Sequence, residues 1–269
     1  MGIFDGYLIC SDMDGTFMGN PDAVAKNRDA VKYFTDNGGF FTFATGRMVG
    51  HLYDTDLVGI INSPAALSNG ALIYDYTREC AVKESRLEFS VREFVSAVEH
   101  IMPDGSSIQL YGISCDKVGV SEIMSIGDCK DLCEKDSAIA DARALKVLCR
   151  FGNAADADEF KAAALSLPLF SDSYISKSWP LGVEFNSADG TKGAAIEYMK
   201  KNIPGVKIAV AIGDYENDIS MIKSADIGAA PANAIDQIKK IVDIEVAHVS
   251  DGAVSDLVYR LEKMIKDGE

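Results

Sequence analysis

Basic residues are scarce in this chain of 269 residues, which has 26 Lys and Arg against 41 Asp and Glu and a formal net charge of −15. Nucleic-acid-binding proteins generally need basic surface to displace counterions from the phosphate backbone. Proteins that dock on anionic membranes likewise rely on clusters of Lys and Arg. The acidic balance therefore predicts that neither nucleic acid nor a membrane surface is a partner.

The sequence also lacks the segments that direct a chain to a membrane or to secretion. No apolar run approaches the roughly 18 residues needed to span a bilayer. The first residues have neither a basic segment nor a small-residue cleavage site, so they do not resemble a signal peptide. Gly2 would be a myristoylation site, but Gly6 stands where that pattern needs Ser or Thr. We therefore expect a cytoplasmic protein.

The six cysteines include no Cys-x-x-Cys pair. Cys129 and Cys133 are one helical turn apart, but no histidine or second pair lies close in sequence to complete a zinc site. This usage predicts reduced thiols. The remaining composition, 48% apolar and 25% charged, is that of an ordinary globular protein with one large or two modest domains.

Short apolar strands alternate with helical segments near both ends of the chain. Apolar runs typical of strands buried on both faces of a sheet lie at Tyr7–Ser11, Phe40–Ala44, Ala65–Leu67 and Ile208–Ile212. Apolar residues at helical spacing predict helices over Ala23–Asn37, Ala194–Lys201, Ala234–Ile241 and Val254–Lys266. Strands and helices in this alternation predict a parallel, doubly wound sheet.

The middle of the chain follows a different pattern. Its helical and strand-like segments show no such alternation, which predicts an inserted α+β domain. We therefore predict an α/β fold in which residues 1–82 and 188–269 form a Rossmann-like, doubly wound core. Residues 83–187 are predicted to form the inserted domain.

The motif Asp12-Met13-Asp14-Gly15-Thr16 directly follows the first apolar strand. Ligands of open parallel sheets bind beyond the carboxyl ends of the strands. Two carboxylates so close together are unfavourable unless a cation neutralises them or one holds a proton. A hard divalent ion with oxygen ligands fits, and Mg²⁺ is the natural choice. The competing interpretation is a surface Asp-Gly turn.

Two weaker motifs follow other predicted elements. Thr45-Gly46-Arg47 comes after the second strand, where a hydroxyl and free backbone N–H groups form a small anion site. A plain helix N-cap explains this motif equally well. Lys192 stands beside a glycine ahead of a helix, and read alone it would be a solvated surface charge.

The last motif, at residues 213–218, has the sequence GDYEND and follows the strand Ile208–Ile212. Asp214 lies at the strand end, and Asp218 lies one helical turn further, so both carboxylates can point at one spot. Simple acidic residues at a helix N-terminus are the alternative, since the helix dipole favours them there.

Taken together and in this order, D-x-D-G-T, T-G-R, a lone K-G and G-D-x-x-N-D resemble the haloacid dehalogenase (HAD) superfamily of phosphotransferases. The insertion lies between the second and third motifs, which is similar to the Cof-type subgroup, subfamily IIB, with its C2B-type cap. The segments Ser68-Asn69-Gly70-Ala71, Ala232-Asn233-Ala234 and Asp251-Gly252-Ala253 also resemble that subgroup. Within the cap only the pattern of elements matches, so no cap residue is assigned a role.

The resemblance implies a role for each motif residue. Asp12 would be the nucleophile that forms an aspartyl phosphate, and Asp14 would be the general acid and base. Mg²⁺ would be held by Asp12, by the main-chain carbonyl of Asp14 and by Asp214, with Asp218 close behind. The residues expected to hold the phosphoryl group are Met13, Thr45, Gly46, Lys192 and Asn217.

Two residues depart from the family pattern or stay unassigned. Tyr215 stands where a small residue is common, and it either narrows the pocket or points outward. Arg47 has three possible places, which are the distal end of the substrate, the cap, and solvent.

The resulting prediction is a Mg²⁺-dependent phosphatase of small phosphorylated metabolites, with sugar phosphates favoured by family analogy. A sugar phosphomutase of the phosphomannomutase type is the nearer alternative, because such proteins share this cap type. A non-catalytic phosphate-binding module is the farther one, and Asp14 argues against it, since a passive receiver needs no acid or base. The oligomeric state is left open.

Overall fold

The computed structural model describes residues 2–112 and 123–268. Its strands are β1 (Tyr7–Ser11), β2 (Phe40–Phe43), β3 (Ala65–Leu67), β4 (Leu72–Asp75), β5 (Cys80–Glu84), β6 (Ser107–Tyr111), β7 (Lys146–Arg150), β8 (Ser173–Trp179), β9 (Gly182–Ser187), β10 (Ile208–Ile212), β11 (Ile227–Pro231) and β12 (Ile244–Val246). Its α-helices are α1 (Pro21–Asp36), α2 (Val49–Tyr53), α3 (Val91–Val98), α4 (Ile126–Lys135), α5 (Ser137–Ala140), α6 (Ala154–Leu165), α7 (Lys192–Asn202), α8 (Ile219–Ser224), α9 (Asp236–Lys239) and α10 (Ala253–Asp267).

The central sheet contains five parallel strands in the order β12-β11-β10-β1-β2. Strand β1 lies in the middle, where Leu8 pairs with Ala209 of β10 on one side and with Phe40 of β2 on the other. The chain order therefore reverses across β1, and a crevice opens at such a point beyond the carboxyl ends of the strands. The predicted parallel sheet is confirmed.

Helices cover both faces of this sheet because its strands are apolar on both faces. Ile9 of β1 packs in a cluster with residues of α1 and α10, such as Phe34 and Leu257. The next residue, Cys10, points to the other face and packs with Ile196 of α7 and residues of α8. Successive side chains of a strand alternate between faces, so one apolar run supports two helical layers. The core is doubly wound, as predicted.

The inserted segment forms a second layered unit around an antiparallel sheet of order β6-β7-β9-β8. Val147 and Cys149 of β7 pack with Phe94 of α3 and Phe160 of α6 in a separate apolar cluster. The intervening residues of β7 therefore lie on the opposite face, which is turned towards the core. The predicted α+β cap is confirmed as an element of the fold, while its limits at residues 83 and 187 stay a prediction.

Some elements differ from their predicted extents. The helix predicted over Ala234–Ile241 is reduced to α9, because Ala234 and Ile235 donate their N–H groups to Pro231 and Asp214 instead. Helix α4 and strand β12 were not predicted at all. Five cysteines in the described ranges are free, whereas Cys115 lies outside them. Among the helices of the described part of the chain, none is long and apolar enough to cross a membrane.

Candidate active site

Three neighbouring strand ends bring the motifs together. The N–H group of Asp12, just beyond β1, donates to the carbonyl of Ile212 at the end of β10, at 2.9 Å. On the other side, the N–H group of Ala44 donates to the carbonyl of Ser11, also at 2.9 Å, which places Thr45 beside the same loop. The predicted convergence of these loops on one crevice is therefore present in the structure.

A cluster of three carboxylates occupies this crevice. Asp12, Asp214 and Asp218 each offer one oxygen, and the three oxygens lie within 4.8 Å of one another. Thr16 donates its hydroxyl to Oδ1 of Asp214 at 2.9 Å. Gly15 permits this approach, because it adopts a φ of +83° and a Cβ on it would lie only 2.5 Å from Oδ2 of Asp214. The glycine of the first motif thus lets two motifs meet.

Lys192 lies inside this cluster. Its side chain is fully buried, and its Nζ lies 2.6 Å from Oδ1 of Asp12 and 2.6 Å from Oδ1 of Asp218. Thr191 caps α7 by accepting from the N–H group of Ala194, so the lysine extends from the first residue of a fixed helix. The alternative of a solvated surface charge is wrong for this residue.

Burial and charge determine the protonation of these groups. Burial raises the pKa of Asp12 well above its ordinary value, and Lys192 opposes this shift. Burial and the neighbouring Asp218 raise the pKa of Asp214 to about 6. Burial disfavours the charge of Lys192, but the carboxylates of Asp12 and Asp218 outweigh it and raise its pKa. Three carboxylates therefore face a single ammonium group.

Whether a metal ion fits this site depends on the excess of carboxylates over ammonium groups. A hard cation with oxygen ligands would offset the excess negative charge, and the donor set here consists of carboxylate oxygens. Asp218 already uses both oxygens, because Oδ2 accepts from the N–H groups of Asp214 and Tyr215 at 2.9 and 3.0 Å. Asp218 therefore holds Lys192 and the Asp214 turn in place, while its position behind a metal ion stays a prediction.

Asp14 and Arg47 form an ion pair at the mouth of the crevice. Nη2 and Nε of Arg47 donate to the two carboxylate oxygens of Asp14 at 2.6 and 2.9 Å. The side chain of Asp14 is 64% exposed, so it stands apart from the buried carboxylates. This pairing raises the pKa of Arg47. The position that the sequence left open for Arg47 is therefore beside Asp14.

A cavity of about 390 Å³ lies in front of Asp12 and is lined by Thr45, Gly46 and Asn217 among others. These three residues belong to the predicted phosphate-binding set. Lys192 does not line the cavity itself. It lies behind Asp12, which does line the cavity and accepts a hydrogen bond from Nζ of Lys192. The side chain of Met13 is buried in the apolar core, so only its backbone is available to a phosphate.

The cap supplies the opposite wall of this cavity. Its residues in the lining are Tyr111, Lys146, Leu148, Arg150, Ser178, Trp179 and Glu184. No motif of the sequence assigns a role to these residues, yet the sequence does carry one signal for them. Charged residues at alternate positions interrupt otherwise apolar strands, which marks a face that is not turned to an apolar core. Tyr215 also lines the cavity, so it narrows the pocket rather than pointing outward.

Hydrogen bonds link the cap to the loops of the core. Nζ of the buried Lys146 donates to Oε1 of Glu184 at 2.8 Å and to the carbonyl of Gly46 at 2.9 Å. Nδ2 of Asn69 donates to Oε2 of Glu184 at 2.8 Å, and Oδ1 of Asn69 accepts from Nδ2 of Asn217 at 3.2 Å. A connected set of side chains therefore runs from the cap sheet to a predicted phosphate ligand.

Glu184 determines how these amides are oriented. Burial opposes its charge, but Lys146 and its hydrogen bonds prevail and lower its pKa. An ionised carboxylate only accepts hydrogen bonds, so Asn69 must turn its NH₂ group to Glu184 and its oxygen to Asn217. Asn217 then keeps one N–H for a ligand in the cavity.

A model of the family described as haloacid dehalogenase-like hydrolase matches residues 9–258. The chain belongs to this family. Membership confirms the predicted HAD resemblance and, with relatives that are named phosphatases, the prediction of a phosphatase enzyme. The alternative of a non-catalytic module is thereby set aside.

Two relatives illustrate the range of the match. The 5-amino-6-(5-phospho-D-ribitylamino)uracil phosphatase YcsE of Bacillus subtilis is 25% identical over 257 residues, which cover 92% of this chain and 93% of that protein. A phosphoglycolate phosphatase of Sulfurisphaera tokodaii is 38% identical over 93 residues. That second alignment spans only 32% of this chain and 40% of the relative's length.

Among solved structures, the HAD subclass IIB sugar phosphatase BT4131 has a TM-score of 0.70, at 18% sequence identity. The match covers 94% of this chain and 98% of that one, so it includes the cap as well as the HAD core. The predicted fold, a HAD-like core with an inserted cap, is confirmed.

Two further segments that resemble the subgroup, those that contain Asn233 and Gly252, also contact or flank the active-site loops of the core. Nδ2 of Asn233 donates to the carbonyl of Gly15 at 2.7 Å, and its Oδ1 accepts from the N–H group of Val249 at 3.0 Å. Gly252 precedes α10 with a φ of +95°, a conformation that favours glycine. Asn233 thus holds the loop that carries Asp12 and Asp14.

Proposed function

We propose that this chain is a Mg²⁺-dependent phosphatase that hydrolyses phosphomonoesters of small metabolites through an aspartyl-phosphate intermediate. The observation that carries the proposal is the buried set of Asp12, Lys192 and Asp218 beside Asp214, at the base of a capped cavity of about 390 Å³. Phosphoryl transfer depends mainly on positioning and on the neutralisation of charge. This set of residues supplies both.

In the first step, an oxygen of Asp12 attacks phosphorus while the bond from phosphorus to the leaving oxygen breaks. Lys192 binds Oδ1 of Asp12, so we assign Oδ2 as the attacking oxygen. Asp14 gives a proton to the leaving oxygen. Its exposed place at the cavity mouth suits this role, because an anionic substrate would compete for Arg47 and release the Asp14 carboxylate, which then takes from solvent the proton that it gives to the leaving oxygen.

In the second step, water attacks the phosphorus of the aspartyl phosphate, and Asp14 takes the proton from that water. The bond to Asp12 breaks, which returns its carboxylate and releases inorganic phosphate. Thr45, the N–H group of Gly46, Asn217 and Lys192 hold the phosphoryl oxygens through both steps. When bound, Mg²⁺ would be held by Asp12, Asp214 and the carbonyl of Asp14, and it would supply further positive charge.

The proposed substrates are small phosphorylated metabolites, with sugar phosphates as the favoured class. A cavity of about 390 Å³ lies within the usual range for small-molecule sites. The cap forms one wall, so a large phosphoester such as a phosphoprotein would not enter easily. The match to a structure described as a sugar phosphatase supports this class.

The test is the release of phosphate from p-nitrophenyl phosphate by the wild-type protein and by Asp12→Asn. We expect the variant to lose turnover while its circular dichroism spectrum is unchanged, because an amide is a far weaker nucleophile than a carboxylate. Asp29→Asn, at an exposed position of α1, is the matched control and should retain full activity. Normal turnover by Asp12→Asn would remove Asp12 as the nucleophile.

Metal dependence and the mutase alternative are tested with the same protein. EDTA should abolish the activity of the wild-type enzyme and Mg²⁺ should restore it. Activity that responds to neither would refute the metal proposal.

The mutase alternative is tested with glucose 6-phosphate, from which the enzyme should release inorganic phosphate. Conversion to glucose 1-phosphate without release would favour the phosphomutase instead.

A further inference from the structure

The charged side chains that line the cavity are paired with an opposite charge, with one exception among the residues that the structure describes. The pairs are Asp12 with Lys192, Asp14 with Arg47, and Lys146 with Glu184. The exception is Arg150 on the cap wall, which has no carboxylate within 4.0 Å in the described ranges. A positive charge that no carboxylate of the described residues neutralises thus faces the space where the substrate is proposed to lie.

The contacts of Arg150 leave much of its guanidinium group unused. Nη2 donates to the neutral amide oxygen of Gln109 at 3.0 Å. Nε is buried and has no hydrogen-bond partner among residues 2–112 and 123–268. A half-buried cation with an unpaired donor is costly unless an anion or an acceptor joins it. The side chain is therefore incompletely satisfied by the protein itself.

The position of Arg150 is built into the cap sheet. Alternation along β7 puts it on the cavity face, and its guanidinium lies 5.2 Å from the centre of the Trp179 ring. The ring lies against Gly182, where a Cβ would come within 2.4 Å of a ring atom. Because Trp179 is held against the neighbouring strand, it supports the arginine in one place rather than letting it swing into solvent.

We propose that Arg150 binds a second anionic group of the substrate, a carboxylate or a second phosphate, at the end remote from the phosphoester that is hydrolysed. The proposal rests on the phosphatase function proposed above. Arginine is suited to this role, since its planar group donates two parallel hydrogen bonds to a carboxylate or phosphate. Within the proposed class of small phosphomonoesters, sugar phosphates included, the preferred substrates are therefore those that carry a distal acidic group.

Matched substrates test this proposal. Glycerol 3-phosphate and 3-phosphoglycerate differ in a hydroxymethyl group against a carboxylate, and glucitol 6-phosphate and 6-phosphogluconate differ in the same way. Fructose 6-phosphate and fructose 1,6-bisphosphate test a second phosphate instead. The wild-type enzyme should prefer the acidic member of at least one pair. Equal kcat/KM within all three pairs would overturn the proposal.

Variants of Arg150 distinguish a role in substrate specificity from a role in stabilising the fold. Arg150→Gln should lower kcat/KM for the acidic member roughly ten- to a hundredfold, mainly through KM, and leave the neutral member and p-nitrophenyl phosphate nearly unchanged. For the acidic member, the kcat/KM of Arg150→Lys should lie between that of the wild type and that of Arg150→Gln. Arg143→Gln, an exposed cap arginine paired with Glu88, removes the same charge elsewhere and should behave like the wild type. An equal loss on all substrates would show that Arg150 only supports the fold.

Binding can be followed without turnover, because Trp179 is the single tryptophan of the chain. In an Asp12→Asn background, the acidic ligand should change the tryptophan fluorescence at a lower concentration than the neutral one. Arg150→Gln should remove that difference, and persistence of the difference would refute the assignment. If wild-type protein does not hydrolyse p-nitrophenyl phosphate, the proposed function fails, and this titration still decides whether Arg150 binds the anion.

Discussion

Lys192 shows how one buried residue joins three motifs that lie far apart in sequence. It contacts Asp12 of the first motif and Asp218 of the last motif, each at 2.6 Å. Removing a partner from a buried ion pair leaves uncompensated charge, which costs about 3–5 kcal/mol. The lysine is therefore expected to matter for stability as well as for phosphate binding.

We expect Lys192→Met to lose nearly all turnover and to lower the free energy of unfolding by about 3–5 kcal/mol, because two buried carboxylates lose their counter-ion. Urea denaturation and p-nitrophenyl phosphate hydrolysis measure the two effects. Lys223→Met, at an exposed position of α8, is the matched control and should change neither. A variant of Lys192 with wild-type stability would contradict the ion-pair geometry.

Asp214 gives a pH-dependent prediction for the metal-free protein. Its pKa rises from 3.8 to about 6 on folding, chiefly through burial. Folding therefore takes up a proton in this window, and the group costs stability as the pH rises through it. In EDTA, Asp214→Asn should be more stable than the wild type by about 1–3 kcal/mol at pH 7.5 and nearly equal at pH 4. Urea denaturation at both pH values tests this, with Asp29→Asn as the control that should show no such difference.

Several elements were predictable because their local pattern carried the information. Strands β1 and β10 match their predicted bounds, since short apolar runs leave little choice for strands buried on both faces of the central sheet. Strand β3 also matches its predicted bounds, but it pairs with β4 in an antiparallel sheet of order β3-β4-β5 instead of joining the parallel sheet. Helix α4 was missed because its buried residues are only Cys129 and Cys133, which give no clear apolar stripe. Strand β12 was missed because three residues with an exposed Glu245 in the middle are too short a pattern.

The core part of the candidate site could be predicted for a related reason. Its residues directly follow strands, so chain position alone brings Asp12, Thr45 and Asp214 together. The cap wall could not be predicted, because the contact of Lys146 with Gly46 depends on how two separate sheets face each other. No local sequence pattern encodes how far apart those two sheets lie.

The link between cap and core gives a prediction at the level of these elements. In Glu184→Gln, the new amide can offer its NH₂ group to Asn69, so the fixed orientation of Asn69 and Asn217 is lost. We expect kcat/KM to fall about tenfold for acidic and neutral phosphomonoesters alike, as expected for a weakened charge-assisted hydrogen bond.

A double-mutant cycle tests the origin of that loss. Glu184→Gln and Asn217→Ala should be less than additive, since both disturb the same chain of hydrogen bonds. Glu159→Gln, at an exposed position of α6, provides the matched control. Full additivity would show that Glu184 acts independently of Asn217.

The molecule as a whole is strongly acidic, yet the cavity is not. Its charged lining consists of three cationic residues, Arg47, Lys146 and Arg150, and three anionic residues, Asp12, Asp14 and Glu184. The net charge of −15 therefore lies outside this lining. An acidic protein can bind a phosphate in this way, because the local groups act over a few ångströms while the surface charge acts over a Debye length.

The surface charge should nevertheless slow the encounter with anionic substrates. Raising the ionic strength from about 10 mM to about 150 mM shortens the Debye length from about 30 Å to about 8 Å, which screens that repulsion. At saturating Mg²⁺, kcat/KM for p-nitrophenyl phosphate should therefore rise with salt while kcat stays constant, since repulsion acts before the substrate is bound. Sodium chloride and potassium chloride should give the same curve. A flat or falling kcat/KM would mean that the local balance of charge in the cavity, and not the acidic surface, governs the approach of the substrate.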